Sequence, residues 1–263
     1  MKRRLAGAAA VLLGGCSALL DLAPPQQSAD ATTFTPLWSF ADDFDLGDFR
    51  LWTQVVSSTN GSIEVTSGDS VSGCCALHAV VAGGSGTGFE YALLTWPQAT
   101  PNAAPVTSGS IAMRARVKAL QLADDTRELT VDQGATDATA FATSGLGTNS
   151  TSPGLSWGFV LSDPADQNDT RQSANVIGDA LGGWHCIEVV IDVASAGYLA
   201  IFMDGSPIPQ IDGAVSTLAG VGWDSAEVGL GYASGSSPTD VLIDDVAIAL
   251  YADTDRAIHI GCN

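Results

Sequence analysis

Short runs of alternating apolar and polar residues, separated by clusters of Gly, Ser, Thr, Asp and Pro, restrict the fold of this chain more than any other feature. The clearest runs are Ile111–Val117, Leu155–Leu161, His185–Val193, Leu199–Met203 and Val241–Leu250. A period of two residues is typical of a β-strand with one buried face. Beyond the first 33 residues, no long stretch has the period of an amphipathic helix. The sequence therefore predicts an all-β domain built as an antiparallel β-sandwich.

The stretch Asp124–Pro153 interrupts this pattern. It is rich in Thr, Ala, Gly and Asp, and only Glu128–Val131 is similar to a strand. We predict a long surface excursion with one short strand. Such an excursion either carries binding specificity or is a tolerated insertion.

The first sixteen residues are similar to a bacterial lipoprotein signal. Lys2, Arg3 and Arg4 form a basic start, a short apolar run follows, and Leu13-Gly14-Gly15-Cys16 closes it. The apolar run is about 14 Å long as a helix, which is too short to cross a bilayer. We therefore predict a cleaved signal peptide at residues 1–15 and a lipidated Cys16. Such an anchor predicts a location in the cell envelope. Ser17 and not Asp follows that cysteine, and the resemblance to Gram-negative sorting signals then implies the outer membrane rather than the inner.

The charge of the chain excludes one class of partner. It has 29 acidic and 10 basic residues, for a formal net charge of −19. Such a surface repels nucleic acid and anionic lipid headgroups. The predicted contact with the lipid bilayer therefore depends on the acyl chains, each worth about 0.8 kcal/mol per buried methylene.

Four cysteines besides Cys16 remain after the predicted cleavage: Cys74, Cys75, Cys186 and Cys262. An even number outside the cytoplasm predicts disulfides, with three pairings open. A bond between the adjacent cysteines would need a strained ring. We therefore expect at least one bridge from the Cys74/Cys75 pair to Cys186 or Cys262, or one bridge with two buried thiols.

Three segments resemble the bacterial concanavalin A-like, or laminin-G-like, jelly-roll family. They are Asp43–Trp52 followed by Ser72–Leu77, Trp184–Val189 followed by Phe202–Gly205, and Ile243–Val246. The resemblance covers residues 40 to 250 and implies a jelly roll. We expect a tether at 16–34, the jelly-roll domain at 35–251, and a C-terminal tail at 252–263 that Cys262 could tie down. The family contains glycoside hydrolases, polysaccharide lyases and lectin-like modules, so the fold does not determine the function.

The catalytic signatures of that family are missing. Retaining glucanases of this fold carry a Glu-x-Asp-x-x-Glu strand with two carboxylates about 5 Å apart. No such string occurs here, and the Gln-Ile-His strand typical of alginate lyases is also absent. We therefore assign no catalytic residue, and the sequence favours a non-enzymatic function.

A ligand site is predicted on the polar face of the central strands. Arg114 and Arg116 share one strand face, and Glu188 and Tyr232 lie on other predicted strands. These four residues could line a cleft that binds an anionic group. The alternative is a solvated face on which the arginines pair with Glu188 or a neighbouring Asp.

Two tryptophans are further ligand candidates. Trp96 precedes Pro97 and Trp223 precedes Asp224, so both lie near loops and could stack on a sugar ring. Burial in the core is the competing interpretation for both.

A structural Ca²⁺ is predicted where the two ends of the domain meet. Asp43 and Asp45 belong to the opening motif, and Asp244 and Asp245 to the closing strand. Clustered carboxylates suit this hard cation, and the family resemblance implies a metal here in some members. A β-bulge is expected at Asp244–Asp245, because both strand faces there are partly apolar. Turn capping is the alternative role for these acids.

The sequence thus predicts a lipid-anchored envelope protein with a lectin-like β-sandwich that binds a glycan or an envelope protein without catalysis. The alternative is a diverged polysaccharide lyase or glycoside hydrolase of the same fold. A purely structural envelope protein is the third interpretation.

The lipid anchor is directly testable. We expect Cys16→Ala to lose a metabolically incorporated fatty-acid label and to keep its signal peptide, because the thiol is the acylation site. Ser17→Ala is the control and should be labelled and cleaved normally. Normal processing and membrane retention of Cys16→Ala would contradict the assignment.

Overall fold

A computed structural model describes residues 34–83, 90–97, 107–121, 125–132, 141–148, 155–162, 169–172, 183–192, 198–208, 213–214, 225–234, 238–255 and 258–262. The predicted signal peptide, Cys16 and residues 17–33 of the predicted tether lie outside these ranges. The described part contains strands and turns, and it contains no helix long and apolar enough to cross a membrane.

Sixteen strands make up the described domain. Their bounds are β1 Trp38–Asp42, β2 Trp52–Ser57, β3 Gly61–Ser67, β4 Cys75–Val81, β5 Glu90–Pro97, β6 Ser110–Gln121, β7 Asp125–Asp132, β8 Phe141–Thr148, β9 Leu155–Ser162, β10 Asp169–Gln172, β11 Trp184–Asp192, β12 Tyr198–Met203, β13 Ser206–Pro207, β14 Gly213–Ala214, β15 Ser225–Ser234 and β16 Thr239–Tyr251.

The strands form two antiparallel sheets. The nine-stranded sheet has the order β13-β12-β11-β6-β16-β4-β3, with β1 also paired to β16 and β14 to β12. The seven-stranded sheet has the order β10-β9-β8-β7-β15-β5-β2. The prediction of an all-β antiparallel sandwich is confirmed.

The stretch predicted as a surface excursion is part of the sandwich. Instead of one short strand, it contains β7 and β8, which pair with each other across the register Val131↔Ala142. Both strands are interior members of the seven-stranded sheet. The prediction of an excursion is wrong, because pairing on both sides of β8 outweighs its weak strand propensity.

The main core lies between the two sheets. Met113, Ile187 and Ile248 face inward from the nine-stranded sheet, and Leu94 and Val228 from the seven-stranded sheet. All five are at most 1% exposed. Burial of each such side chain is worth about 1.5–3 kcal/mol, so this layer is the main source of stability.

Strand β16 organises the nine-stranded sheet. Its first half pairs with β4 and its second half with β1 on the same side, while β6 runs along its other side. The register with β6 shifts between Asp244 and Ala247, and Asp245 has a positive φ of 49°. The predicted bulge is confirmed at this position.

A second apolar cluster covers the outer face of the nine-stranded sheet. The C-terminal tail contributes Ile258 and Ile260, which pack on Val190 of β11 and Tyr251 of β16. Phe34, just before β1, packs against the same cluster. Both faces of this sheet are therefore buried where the tail packs on it, which explains why β16 is apolar almost throughout.

The disulfide pairing differs from the prediction. Cys186 is bonded to Cys262, and Cys74 to Cys75. Cys186 points to the outer face, where the tail docks and brings Cys262 to it. Cys74 and Cys75 end a loop that turns through Gly73 at φ 56°, so their side chains meet at the start of β4. The predicted bridge from this pair to Cys186 or Cys262 is wrong.

The two bridges should differ in their effect on stability. Cys186–Cys262 spans 76 residues, and a loop of that size is worth about 4 kcal/mol in the unfolded-chain model. Cys262→Ser should lower the free energy of unfolding by several kcal/mol in urea denaturation. The double variant Cys74→Ser/Cys75→Ser is the matched control and should cost much less, because its bridge closes almost no loop. Equal losses would contradict this difference.

Candidate functional site

The predicted polar face exists and lies on the outer side of the nine-stranded sheet. Arg114 of β6 is the register neighbour of Glu188 of β11, and Arg116 is the neighbour of Cys186. The structure thus brings Arg114, Arg116 and Glu188 together. The C-terminal tail, however, lies over all three.

Glu188 binds the backbone of the tail. Its side chain is 1% exposed, and its two oxygens accept hydrogen bonds from the backbone N–H groups of Ile260 and Gly261, the latter at 2.9 Å. Burial raises the pKa of Glu188, while the two N–H donors, His259 and Arg114 oppose the shift. The carboxylate is therefore a structural acceptor, held where solvent does not reach it.

The two arginines bind the carbonyl groups of the same tail. Arg114 Nη1 donates to the carbonyl oxygen of Gly261 at 2.8 Å, and Arg116 Nη2 donates to that of Cys262 at 2.5 Å. Arg114 Nη2 also donates to the carbonyl oxygen of Asp245 at 3.4 Å. Burial lowers the pKa of Arg114. The tail therefore covers this face, and the open cleft that the sequence predicted is absent among these described residues.

The other predicted ligand residues do not join this group. Tyr232 lies on β15, and Trp96 lies on β5, so both belong to the seven-stranded sheet. Their side chains, and Trp223 as a whole, lie outside the described residues. The single cleft predicted around Arg114, Arg116, Glu188 and Tyr232 therefore does not form on one sheet.

Acidic residues from both ends of the domain hold one loop, residues 71–74, at the bulge of β16. Asp244 accepts hydrogen bonds from the N–H groups of Val71 at 2.7 Å and Ser72 at 3.1 Å. Asp245 Oδ1 accepts one from the Ser72 hydroxyl at 2.7 Å. Burial raises the pKa of Asp244 to about 6, although three N–H donors oppose the shift.

Asp45 holds the other end of this loop. Its Oδ1 accepts a hydrogen bond from the N–H of Cys74 at 2.6 Å. Asp43 instead caps its own turn by accepting from the N–H of Asp45 at 3.1 Å. We call Asp45, Asp244 and Asp245 with residues 71–74 the acidic junction.

The acidic junction has the contacts of turn caps. The described residues contain one group of three His, Cys, Asp or Glu side chains whose ligand atoms all lie within 4.8 Å of one another. This group is Asp45, Cys74 and Cys75. The predicted set of Asp43, Asp45, Asp244 and Asp245 does not converge to that degree. Its oxygens are nevertheless the donor type that Ca²⁺ prefers, and Asp45, Asp244 and Asp245 surround the same loop.

The outer face of the seven-stranded sheet carries polar side chains that the sequence analysis did not single out. Thr95 of β5 and Glu227 of β15 are register neighbours and are half-buried. Ala226 and Val228, on either side of Glu227, point into the core. The alternation in Ser225–Val228 could have identified Glu227 as an outward-facing acid. The backbone register continues this row to Thr130 of β7.

Comparisons with known proteins detect the fold. No protein-family model matches the chain, and no curated protein matches it in sequence. Similar solved structures include the cellulose-induced protein Cip1, with a TM-score of 0.58 and 15% identity over 85% of this chain and 100% of that one. The endo-β-1,4-glucuronan lyase of the fungus Trichoderma reesei has a TM-score of 0.57 and 17% identity over 82% and 96%.

A third similar structure is domain 4 of AbnA, a GH43 extracellular arabinanase from Geobacillus stearothermophilus, in complex with arabinotriose. It has a TM-score of 0.50 and 18% identity over 86% of this chain and 96% of that one. These similarities establish a jelly-roll β-sandwich for the chain.

Proposed function

We propose that this protein is a lipid-anchored envelope protein whose jelly roll binds a glycan without catalysis, on the outer face of the seven-stranded sheet. The observation that carries the proposal is the closure of the opposite face. The C-terminal tail buries Glu188 and occupies Arg114 and Arg116 on the nine-stranded sheet. We therefore assign the ligand to the other broad face of the sandwich, where Thr95 and Glu227 are half-buried.

The comparisons support a carbohydrate as the ligand class. One similar structure is a lyase of glucuronan, and another is an arabinanase domain in complex with arabinotriose. Their low sequence identity limits the likeness to the fold. Glycan binding therefore rests on the polar residues of this chain as well as on the shared fold.

The chemistry of the proposed face favours a neutral glycan. Glu227 and Thr95 carry a carboxylate and a hydroxyl, the types of group that form hydrogen bonds with sugar hydroxyl groups. The net charge of −19 disfavours a polyuronate. Lyases of this fold need a Tyr or His base beside an Arg or Gln that neutralises the uronate, and the predicted candidates Arg114 and Arg116 are bound to the tail. These points favour the binding function over the lyase alternative.

Glu227→Gln tests the proposed face. It keeps the side-chain shape and removes the charge, so binding of a neutral arabinan or glucan oligosaccharide should weaken about tenfold, which is about 1.4 kcal/mol. Isothermal titration of the purified full-length protein measures the change. Glu64→Gln, at an exposed glutamate of the nine-stranded sheet, is the control and should bind as the wild type does.

Three outcomes would contradict the proposal. Equal binding by Glu227→Gln and wild type would place the site elsewhere. Absence of binding to every neutral glycan would favour an envelope protein as the partner. Release of unsaturated or reducing ends from glucuronan or arabinan would favour the lyase or hydrolase alternative.

We also propose a structural Ca²⁺ at the acidic junction, supported by the oxygen donors of Asp45, Asp244 and Asp245 around one loop. At 100 times its dissociation constant, a ligand adds about 2.7 kcal/mol to stability. A chelator should then lower the melting temperature by about 5–10 °C. Asp245→Ala should abolish this sensitivity, and Asp48→Ala, at an exposed acid paired with Arg50, should retain it. Identical melting curves with and without chelator would leave the acids as turn caps.

A further inference from the structure

The adjacent cysteines and Asp45 form a compact group of ligand atoms at an accessible place. The sulfur atoms of Cys74 and Cys75 and a carboxylate oxygen of Asp45 all lie within 4.8 Å of one another. Cys74 and Asp45 are exposed, and Cys75 is 9% exposed. An ion or a reductant can therefore reach this group from solvent.

The backbone holds this group in place by contacts other than the disulfide. Asp45 Oδ1 accepts the N–H of Cys74, and Cys74 Sγ lies 3.9 Å from the carbonyl oxygen of Asp45. A Cβ atom on Gly73 would lie 1.9 Å from Asp45 Oδ2, so only glycine permits this approach. Asp244 and Asp245 fix the other end of the loop. The ligand atoms should therefore stay close together when the disulfide is opened.

The two disulfides of the protein should respond differently to a reductant. Cys186 is fully buried, and its bond to Cys262 closes a span of 76 residues. Cys74 is exposed, and its bond spans a sequence separation of 1. Accessibility favours attack on the exposed bond. Because this bond closes almost no loop, its opening removes little stability from the folded protein.

We propose that Cys74 and Cys75, once reduced, form with the carboxylate of Asp45 a redox-gated site for a thiophilic divalent cation such as Zn²⁺. Two thiolates and one carboxylate are a ligand set that Zn²⁺ accepts, with water as a fourth ligand. Thiolates select such soft cations over Ca²⁺. The oxidised pair cannot act as two thiolate ligands, so the bond controls the site.

The reducing step requires a dithiol. One thiolate of the dithiol attacks Cys74 Sγ, the bond between Cys74 and Cys75 breaks, and Cys75 leaves as a thiolate. The second thiolate of the dithiol displaces Cys74 and closes the reductant's own disulfide. Two electrons pass to the protein and the dithiol is oxidised. The two protons of the dithiol are transferred to the cysteines, which become thiols. Binding of Zn²⁺ then releases these two protons to solvent.

Co²⁺ is a suitable probe because its bonds to thiolate sulfur give a ligand-to-metal charge-transfer absorption. The full-length protein is treated with one equivalent of dithiol and titrated with Co²⁺ in calcium-free buffer, because Asp45 also belongs to the proposed calcium site. We expect reduction to add two free thiols, assigned to Cys74 and Cys75 by peptide mass, and one Co²⁺ to bind with this absorption. Zn²⁺ should displace it, and unreduced protein should not show it.

Two variants decide the ligand set. Cys74→Ser/Cys75→Ser should show no charge-transfer absorption while keeping its melting transition. Asp45→Asn keeps an oxygen to accept the Cys74 N–H but loses the charge, so its affinity should fall at least tenfold. Absence of the absorption in the reduced wild type, or its presence in the double variant, would overturn the proposal. Undiminished affinity in Asp45→Asn, or reduction of Cys186–Cys262 first, would do so too.

This proposal does not depend on the proposed function. Glycan binding is assigned to the seven-stranded sheet, whereas Asp45, Cys74 and Cys75 lie at an end of the nine-stranded sheet. Failure of the Co²⁺ titration would leave the glycan experiment unaffected.

Discussion

The carboxylate of Glu188 is buried on the outer face of the nine-stranded sheet, and its position there depends on hydrogen bonds from outside that sheet. A buried carboxylate without partners costs several kcal/mol. The tail supplies the N–H groups of Ile260 and Gly261, and the bond between Cys186 and Cys262 keeps it in place. Arg114 and Arg116 then bind the tail's carbonyl groups. Closure of this face follows, and it is the reason why we propose the opposite sheet as the ligand-binding surface.

The bulge of β16 has a comparable role at the end of the domain. At the bulge, the partner strand on one side changes from β4 to β1. Asp244 and Asp245 use this break to bind the loop before β4, and Asp45 binds the same loop from the turn after β1. One irregularity thereby joins the first strand, the last strand and the exposed cysteine pair. Both proposed cation sites depend on it.

The sequence predicted those parts of the structure that depend on the alternation of apolar and polar residues along a strand. The apolar positions of β6, β11 and β16 face the core as expected, and the bulge lies at the expected position. Strand β8 was missed because Gly145 and Gly147 weaken its strand propensity. Pairing with β7 and β9 makes this segment a strand, and such pairing is not visible in a local pattern.

The candidate site was predicted only in part. Arg114 and Glu188 are register neighbours as predicted, but each of them forms hydrogen bonds with the C-terminal tail, and the docking of that tail is a long-range contact. Alternation of Ile258 and Ile260 was the available signal for that docking. The bond between Cys74 and Cys75 was disfavoured on ring geometry, and the turn at Gly73 that brings the two sulfur atoms together is a tertiary feature. The outward position of Glu227 was readable from the neighbouring Ala226 and Val228.

Amide hydrogen exchange at Ile260 and Gly261 tests the central claim most directly, because these two N–H groups bind the buried carboxylate. If the tail closes the outer face, both amides should exchange as slowly as those of β11, such as Val189, and Glu188→Gln should accelerate both by at least tenfold. Exchange at the rate of an exposed, unstructured segment in the wild type would contradict the account. It would mean that the face bearing Arg114, Arg116 and Glu188 is open.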